Sequence, residues 1–342
     1  MENLLSNSLR PHTVIEILDR TFRIYRENFW RYAVLVAIVT VPLSILNLIV
    51  AQSYLGQLQS QELGFAQRQV ATNNFTLLVS LLTIAIAIVQ GVLINGTLTF
   101  MASEHHLGRS ITIAEAFRHS RSRFLTLFVA LFIFYLLIFV LAVVSALTVT
   151  CLIGILGFGF LAYIGLSINA FLAPTIMLEN VGIFEGINRS FGLAKARFWS
   201  VFGMVSLIFI ITVVLQLAFT VLQQLFSQQL VGTASIQGGD LVGTIIDILI
   251  TIFIAPITPI AFTIMYFDTR IRFEGLDIAL VALGKPDARP SDIFSPPAAS
   301  ALKGRDFANI LILIVGTVVV FVVLGATIAA FFSSLIPNFP VR

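Results

Sequence analysis

The sequence predicts an all-α, polytopic integral membrane protein: about seven transmembrane helices, in three similar modules followed by one extra C-terminal span. Three observations predict it. The 342 residues are 58% hydrophobic and only 11% charged, with a mean hydropathy of +1.00. Soluble domains carry about 25% charged residues, so most of this apolar surface must lie in lipid. Seven apolar runs are long enough to cross a bilayer, which takes roughly 20 residues. Finally, one unit occurs three times: TFRIYRENFWRY from Thr21, AFRHSRSRFLTL from Ala116 and SFGLAKARFWSV from Ser190. Phe22, Phe117 and Phe191 align, as do Phe29, Phe124 and Phe198, with Arg26, Arg121 and Lys195 between them. Internal self-similarity is an architectural signal.

Each unit reads as an amphipathic helix running into a span. Thr13 with Glu16, and Thr112 with Glu115, form the Thr-x-x-Glu pattern of a capping box, which satisfies free amide donors at a helix start. Over residues 14–29, Val14, Ile15, Ile17, Leu18, Phe22, Ile24, Tyr25 and Phe29 fill one helical arc. Glu16, Asp19, Arg20, Arg23, Arg26 and Glu27 fill the other. Phe184, Ile187, Phe191, Ala194 and Phe198 form a stripe in the third unit; the middle copy is weaker. Such a helix fits a membrane interface, with its basic side near anionic head groups. The candidate lipid-facing basic residues are Arg20, Arg23, Arg26, Arg118, Arg121, Arg123, Arg189, Lys195 and Arg197. Packing of the same helices on the protein's own bundle requires the same pattern.

The spans fall near residues 33–51, 76–101, 124–148, 152–177, 200–225, 242–266 and 308–335, the third and fourth joined tightly around Thr150. The modules cover about 10–104, 105–179 and 180–280, together a membrane domain over 1–280. A Pro-rich linker, 281–307, leads to the last span and a short tail in 308–342. MENLLSNSLRPH lacks the apolar core of a signal peptide. The lone Cys151 makes no internal disulfide.

With the N-terminus inside, all but Arg68 and Arg342 of the 20 Lys and Arg residues fall on inner segments. Cytoplasmic loops carry such an excess. This predicts a multi-pass cell-membrane protein with the N-terminus cytoplasmic, the linker cytoplasmic and the C-terminus outside. The net charge of +3 gives no nucleic-acid footprint.

The second spans end alike: Met101 then Glu104, Met177 then Glu179, Met265 then Asp268. Each acid is placed to pair with a nearby arginine or to serve as a polar flank. Inside the spans, Asn95 and Asn169 hold comparable places in successive second spans, and Asp247 is the one acid within an apolar run. Together they form a candidate intramembrane polar site. Asn47, Gln90 and Gln216 read as interhelical hydrogen-bonding groups. Pro42, Pro174, Pro256 and Pro259 predict kinks, sharpest at IAPITPI from Ile254, and Gly154, Gly157, Gly159 and Gly165 predict close helix approach.

Glu104, His105, His106, Glu115 and His119 lack any zinc-motif spacing, so no metal or cofactor is expected. No nucleophile elbow or phosphate loop is present, and QGGD at Asp240 has no partner aspartate motif. A non-enzyme is therefore expected, with an intramembrane enzyme the least favoured alternative.

RSFGLAKARFW from Arg189, YFDTRIRFEGLDI from Tyr266 and APTIMLEN from Ala173 resemble a bacterial membrane-protein family: the membrane domain found fused to glycerophosphodiester phosphodiesterase. The resemblance covers roughly residues 10–280. It implies an all-helical multispan fold and not the phosphodiesterase activity, which resides in a separate soluble barrel. The leading expectation is a non-catalytic protein that organises membrane lipid, chiefly anionic head groups, or a membrane-protein partner at the cytoplasmic face. The alternative is a transporter or lipid-handling permease with a site between modules. A cavity holding Asn95, Asn169 or Asp247 discriminates between them.

Overall fold

The computed structural model describes residues 11–60, 65–148, 153–230, 236–285, 288–293, 302–316 and 318–319. The order is α1 (Val14–Glu27), α2 (Phe29–Ser60), α3 (Phe65–His106), α4 (Ile113–Leu147), α5 (Ile153–Glu179), α6 (Ile183–Ala196), α7 (Phe198–Leu230), α8 (Ile236–Ile254), α9 (Ile257–Glu274) and α10 (Leu276–Ala282). A last helix, α11, covers residues 304–316. The described residues are all-α, and six apolar segments are long enough to cross a membrane: Phe29–Val50, Leu78–His106, Ile113–Leu147, Leu156–Glu179, Phe198–Val221 and Thr244–Glu274. These match the first six expected spans. The seventh expected span, 308–335, lies mostly outside the described residues, as does the turn at Thr150.

The three second spans, α3, α5 and α9, contact one another and form the centre of the bundle. Around them, each unit's leading helix lies along the second span of the preceding unit. The first turns of α4 pack on α3, where His119 stacks on Phe100 at 4.2 Å. Helix α6 packs on α5, and α1 packs on α9, joining the start of the chain to its last second span. The aligned phenylalanines follow. The Phe29 ring stacks on Phe253 at 5.5 Å, and Phe198 lies 4.5 Å from Tyr163. Phe124 lies so close to Gly96 that a Cβ added there would sit 3.1 Å from its ring.

Both capping boxes form: Thr13 and Thr112 accept from the backbones of Glu16 and Glu115, whose carboxylates accept from the cap N–H groups. The apolar arc of α1 divides. Ile17, Thr21 and Ile24 are buried, whereas Ile15 and Phe22 stay exposed. The helix therefore packs on the bundle with one edge and leaves apolar side chains free on another. Units one and three break before the second phenylalanine, at Asn28 and Arg197. The middle unit runs on as one helix; Arg123, the residue aligned with those breaks, bonds Asn180.

Pro42 and Pro174 sit inside continuous helices, while Pro256 ends α8 in a turn at 255–256. The break frees carbonyls of the last helical turn. Tyr25 donates its hydroxyl to one of them, Phe253 O, at 2.8 Å. Burial pushes the Tyr25 pKa up to about 12. Thr83 bonds Asn47, and Gln90 bonds Thr40, both at 3.2 Å across α2 and α3, so these two amides join helices.

The start of α11 is anchored. Tyr163 donates to Asp306 at 2.5 Å, Trp199 donates to Asn309 at 3.0 Å, and Gly159 leaves the room taken by Ile314. Part of the expected linker is also docked: Ala288 and Pro290 are buried, and Arg289 reaches Glu104.

Candidate intramembrane groove

A groove of about 390 Å³ lies between α3, α4, α5 and α9. Its long wall is one stripe of α3: Ile84, Ala87, Ile88, Gly91, Asn95 and Thr99. At 1.5 Å per residue this stripe is about 22 Å long. Leu131 and Tyr135 come from α4; Asn169, Ala170, Ala173 and Pro174 from α5; Thr258, Pro259 and Phe262 from α9. Small residues make the space, since Gly91, Ala87, Ala170 and Ala173 hold little volume. Pro256 and Pro259 set the start of α9 beside it.

The polar groups share one level. Asn95 precedes Glu104 by nine residues, Asn169 precedes Glu179 by ten, and Thr258 precedes Asp268 by ten. That is about 14–15 Å along each helix from its terminal acid. Tyr135 donates to Asn169 Oδ1 at 3.3 Å. Among the described residues, no Asp, Glu, Lys, Arg or His lines the groove. Ile84, Tyr135 and Asn169 are exposed at its mouth, amid exposed Leu81, Leu136 and Leu137. The opening thus faces sideways, on an apolar surface inside the span segments. A second hollow, of about 510 Å³, lines the α1–α2 bend from Arg26 to Arg31. It is bounded by six consecutive residues of one chain segment and encloses nothing.

Asn95 and Asn169 therefore come together, whereas Asp247 does not join them. It is exposed on α8, 11 residues before Thr258, and does not line the groove. Thr99, Tyr135 and Thr258 were not among the sequence candidates. The signal for Thr258 was present in its offset from Asp268, matching those of the two asparagines.

At the end of the bundle that carries the three acids, buried ion pairs tie the units together. Glu104, Glu179 and Asp268 are all buried. Arg189 donates Nε to Glu179 at 2.5 Å and both Nη groups to Glu274 at 2.6 Å. Arg270 bonds Glu274 at 2.8 Å and the Tyr266 hydroxyl at 2.9 Å, and Tyr266 donates to Glu179 at 2.6 Å. Asp268 accepts from the His12 N–H at 2.6 Å, from Arg272 at 3.2 Å and from Arg197. Glu104 holds Arg289 at 2.9 Å and Arg109 at 3.3 Å. Burial works against the Arg189 charge, but Glu274 and Glu179 outweigh it and raise its pKa.

This corrects part of the expected lipid-facing set. Arg189 is buried and Arg197 is held by Asp268, so neither presents its charge to lipid. The pattern that marks an interfacial arginine also fits an arginine facing a carboxylate on the next helix. Arg20 bonds His12 at 3.1 Å, Arg123 bonds Asn180, and Lys195 sits over the Phe191 ring at 5.4 Å. Arg23, Arg26, Arg118 and Arg121 are exposed. The histidines part company: His105 is held by Tyr32 at 2.7 Å, His106 packs on Phe267 and His119 on Phe100. Among the described residues, no three of His, Cys, Asp or Glu gather as metal ligands.

The helices and groove define a multi-pass membrane protein with a laterally open, uncharged cavity. No family model matches the chain, and no curated protein or solved structure matches it either.

Proposed function

We propose that this protein is a non-catalytic, lipid-handling membrane protein that admits an amphiphile from the bilayer into the groove between α3, α5 and α9. The single observation that carries the reading is the groove itself: uncharged, laterally open, inside the spans and holding Asn95 and Asn169 at one level. Ligand sites are commonly clefts of about 300–1,000 Å³ with mostly apolar walls and a few placed polar groups. In this reading the three modules form a ring, and the buried ion pairs fix its closed arrangement. A permease that moves its ligand between leaflets is the transport form of the same proposal.

The exposed Arg23, Arg26, Arg118 and Arg121 favour a second, compatible role in holding anionic head groups at the same end. The proposed location is the cell membrane, with that basic end cytoplasmic and the C-terminus outside.

The test is native mass spectrometry of the full chain, wild type against Gly91→Leu. A Cβ at Gly91 meets nothing closer than Asn95 Nδ2 at 3.9 Å, so a larger side chain fills the groove without displacing backbone. The wild type should carry a lipid-mass adduct that Gly91→Leu lacks. Equal adducts on both proteins contradict the proposal.

A further inference from the structure

We infer that the groove selects an uncharged amphiphile: one extended acyl chain joined to a head that bears hydroxyl or ester oxygens. This rests on the groove reading above and adds the ligand's chemistry. The first argument is the Thr99 hydroxyl. Several helical threonines here return their hydroxyls to the carbonyl four residues earlier, as Thr21, Thr251, Thr263 and Thr269 do. Thr99 is 1% exposed, lines the groove, and its Oγ1 has no hydrogen-bond partner among the described residues. A buried polar group without a partner is costly, and a ligand head at this level supplies one. Thr97 and Thr175 also lack partners, but they lie off the groove.

The second argument is the division of the wall. Asn95, Thr99, Tyr135, Asn169 and Thr258 supply carboxamides and hydroxyls, while Ile84, Ala87 and Ile88 at the far end of the α3 stripe supply only hydrocarbon. With Asn169 Oδ1 taken by Tyr135, its two amide hydrogens remain as donors for ester or hydroxyl oxygen. The third is charge. A carboxylate or phosphate drawn into this low-dielectric site requires a cationic partner. Among the described residues the lining holds none, and Arg189 and Arg197 are occupied by Glu179, Glu274 and Asp268. The length also fits. From Asn95 to Ile84 the stripe runs about 16 Å, about half of the ~30 Å hydrocarbon core, which is the reach of one acyl chain.

The experiment offers the full chain an equimolar mixture of a monoacylglycerol, the fatty acid of the same chain length and the matching lysophosphatidylglycerol, and reads bound mass. The monoacylglycerol should be retained about tenfold over either anion, and Thr99→Val or Asn95→Leu should reduce its retention by about tenfold. Val is near-isosteric with Thr, so Thr99→Val tests the hydroxyl with the packing kept. Retention of either anion as well as the neutral glyceride overturns the uncharged-ligand inference and leaves the groove reading standing. So does full retention by both polar variants. If wild type and Gly91→Leu retain all three amphiphiles alike, the groove reading itself falls.

Discussion

Arg189 on α6 and Glu274 on α9 meet through two parallel hydrogen bonds of 2.6 Å, although 85 residues separate them in the chain. The remaining guanidinium donor, Nε, takes Glu179 on α5. One buried arginine thus joins α9 to α5. Planar bidentate recognition of a carboxylate suits arginine and not lysine.

Arg189→Gln should therefore destabilise the fold by about 3–5 kcal/mol, because it takes one charged donor from buried Glu179 and two from Glu274, leaving Tyr266 and Arg270 as their partners. Arg189→Lys should recover little of the loss. Thermal unfolding in detergent, followed by retention on size exclusion, measures both. Wild-type stability in Arg189→Gln would contradict the buried node.

The anchor of α11 predicts a pH dependence. Burial opposes the Asp306 charge, but the Tyr163 hydroxyl, the Lys303 N–H and the charges of Lys195 and Lys303 outweigh it and hold the Asp306 pKa below its ordinary value. A carboxylate with a depressed native pKa contributes stability that is present above its unfolded pKa, near 3.9. That contribution is lost as pH falls through the native value. Trp199, bonded to Asn309, reports the change in a Trp30→Phe background. Its emission should shift on acidification below pH ~4, and the step should vanish in Asp306→Asn. An identical titration in Asp306→Asn would contradict the assignment.

Gly159 should accept no larger residue while α11 is docked, since a Cβ there overlaps Ile314. Overpacking of this kind costs typically about 1–3 kcal/mol. Gly159→Leu should push α11 away and expose the 5%-accessible position 309. In a Cys151→Ser background, thiol labelling of Asn309→Cys should rise when Gly159→Leu is added. Unchanged labelling would place α11 elsewhere.

Much of this architecture was legible in the chain. Six spans followed from apolar runs, and both capping boxes from Thr-x-x-Glu. The asparagine pair was found because Asn95 and Asn169 recur at matching places. Thr258 shares their offset but is a less conspicuous residue in a helix. Thr99 and Tyr135 gave no signal, because nothing local tells a groove-lining hydroxyl from one bonded to its own helix. The burial of Arg189 was illegible for a related reason. An amphipathic helix has one pattern whether its polar edge meets water, head groups or a carboxylate of another helix. Only the packing of α6 between α5 and α9 decides it.

Topology follows from the charge asymmetry. Reporter fusions at Gln61 and Ser235 should report outside the membrane, and one at Pro290 inside. An inside signal at Gln61 would invert the proposed orientation.

Photo-crosslinking shows whether lipid enters the groove. A membrane-embedded full chain is irradiated with a lipid carrying a photoreactive acyl chain, and adducts are mapped by peptide mass spectrometry. Lipid held in the groove should give adducts concentrated on residues 84–99 and 169–174 and depleted there by Gly91→Leu. Adducts spread evenly over the outer faces of α4 and α7, at exposed residues such as Phe139, Phe209 and Val214, with none enriched in the groove, would contradict it.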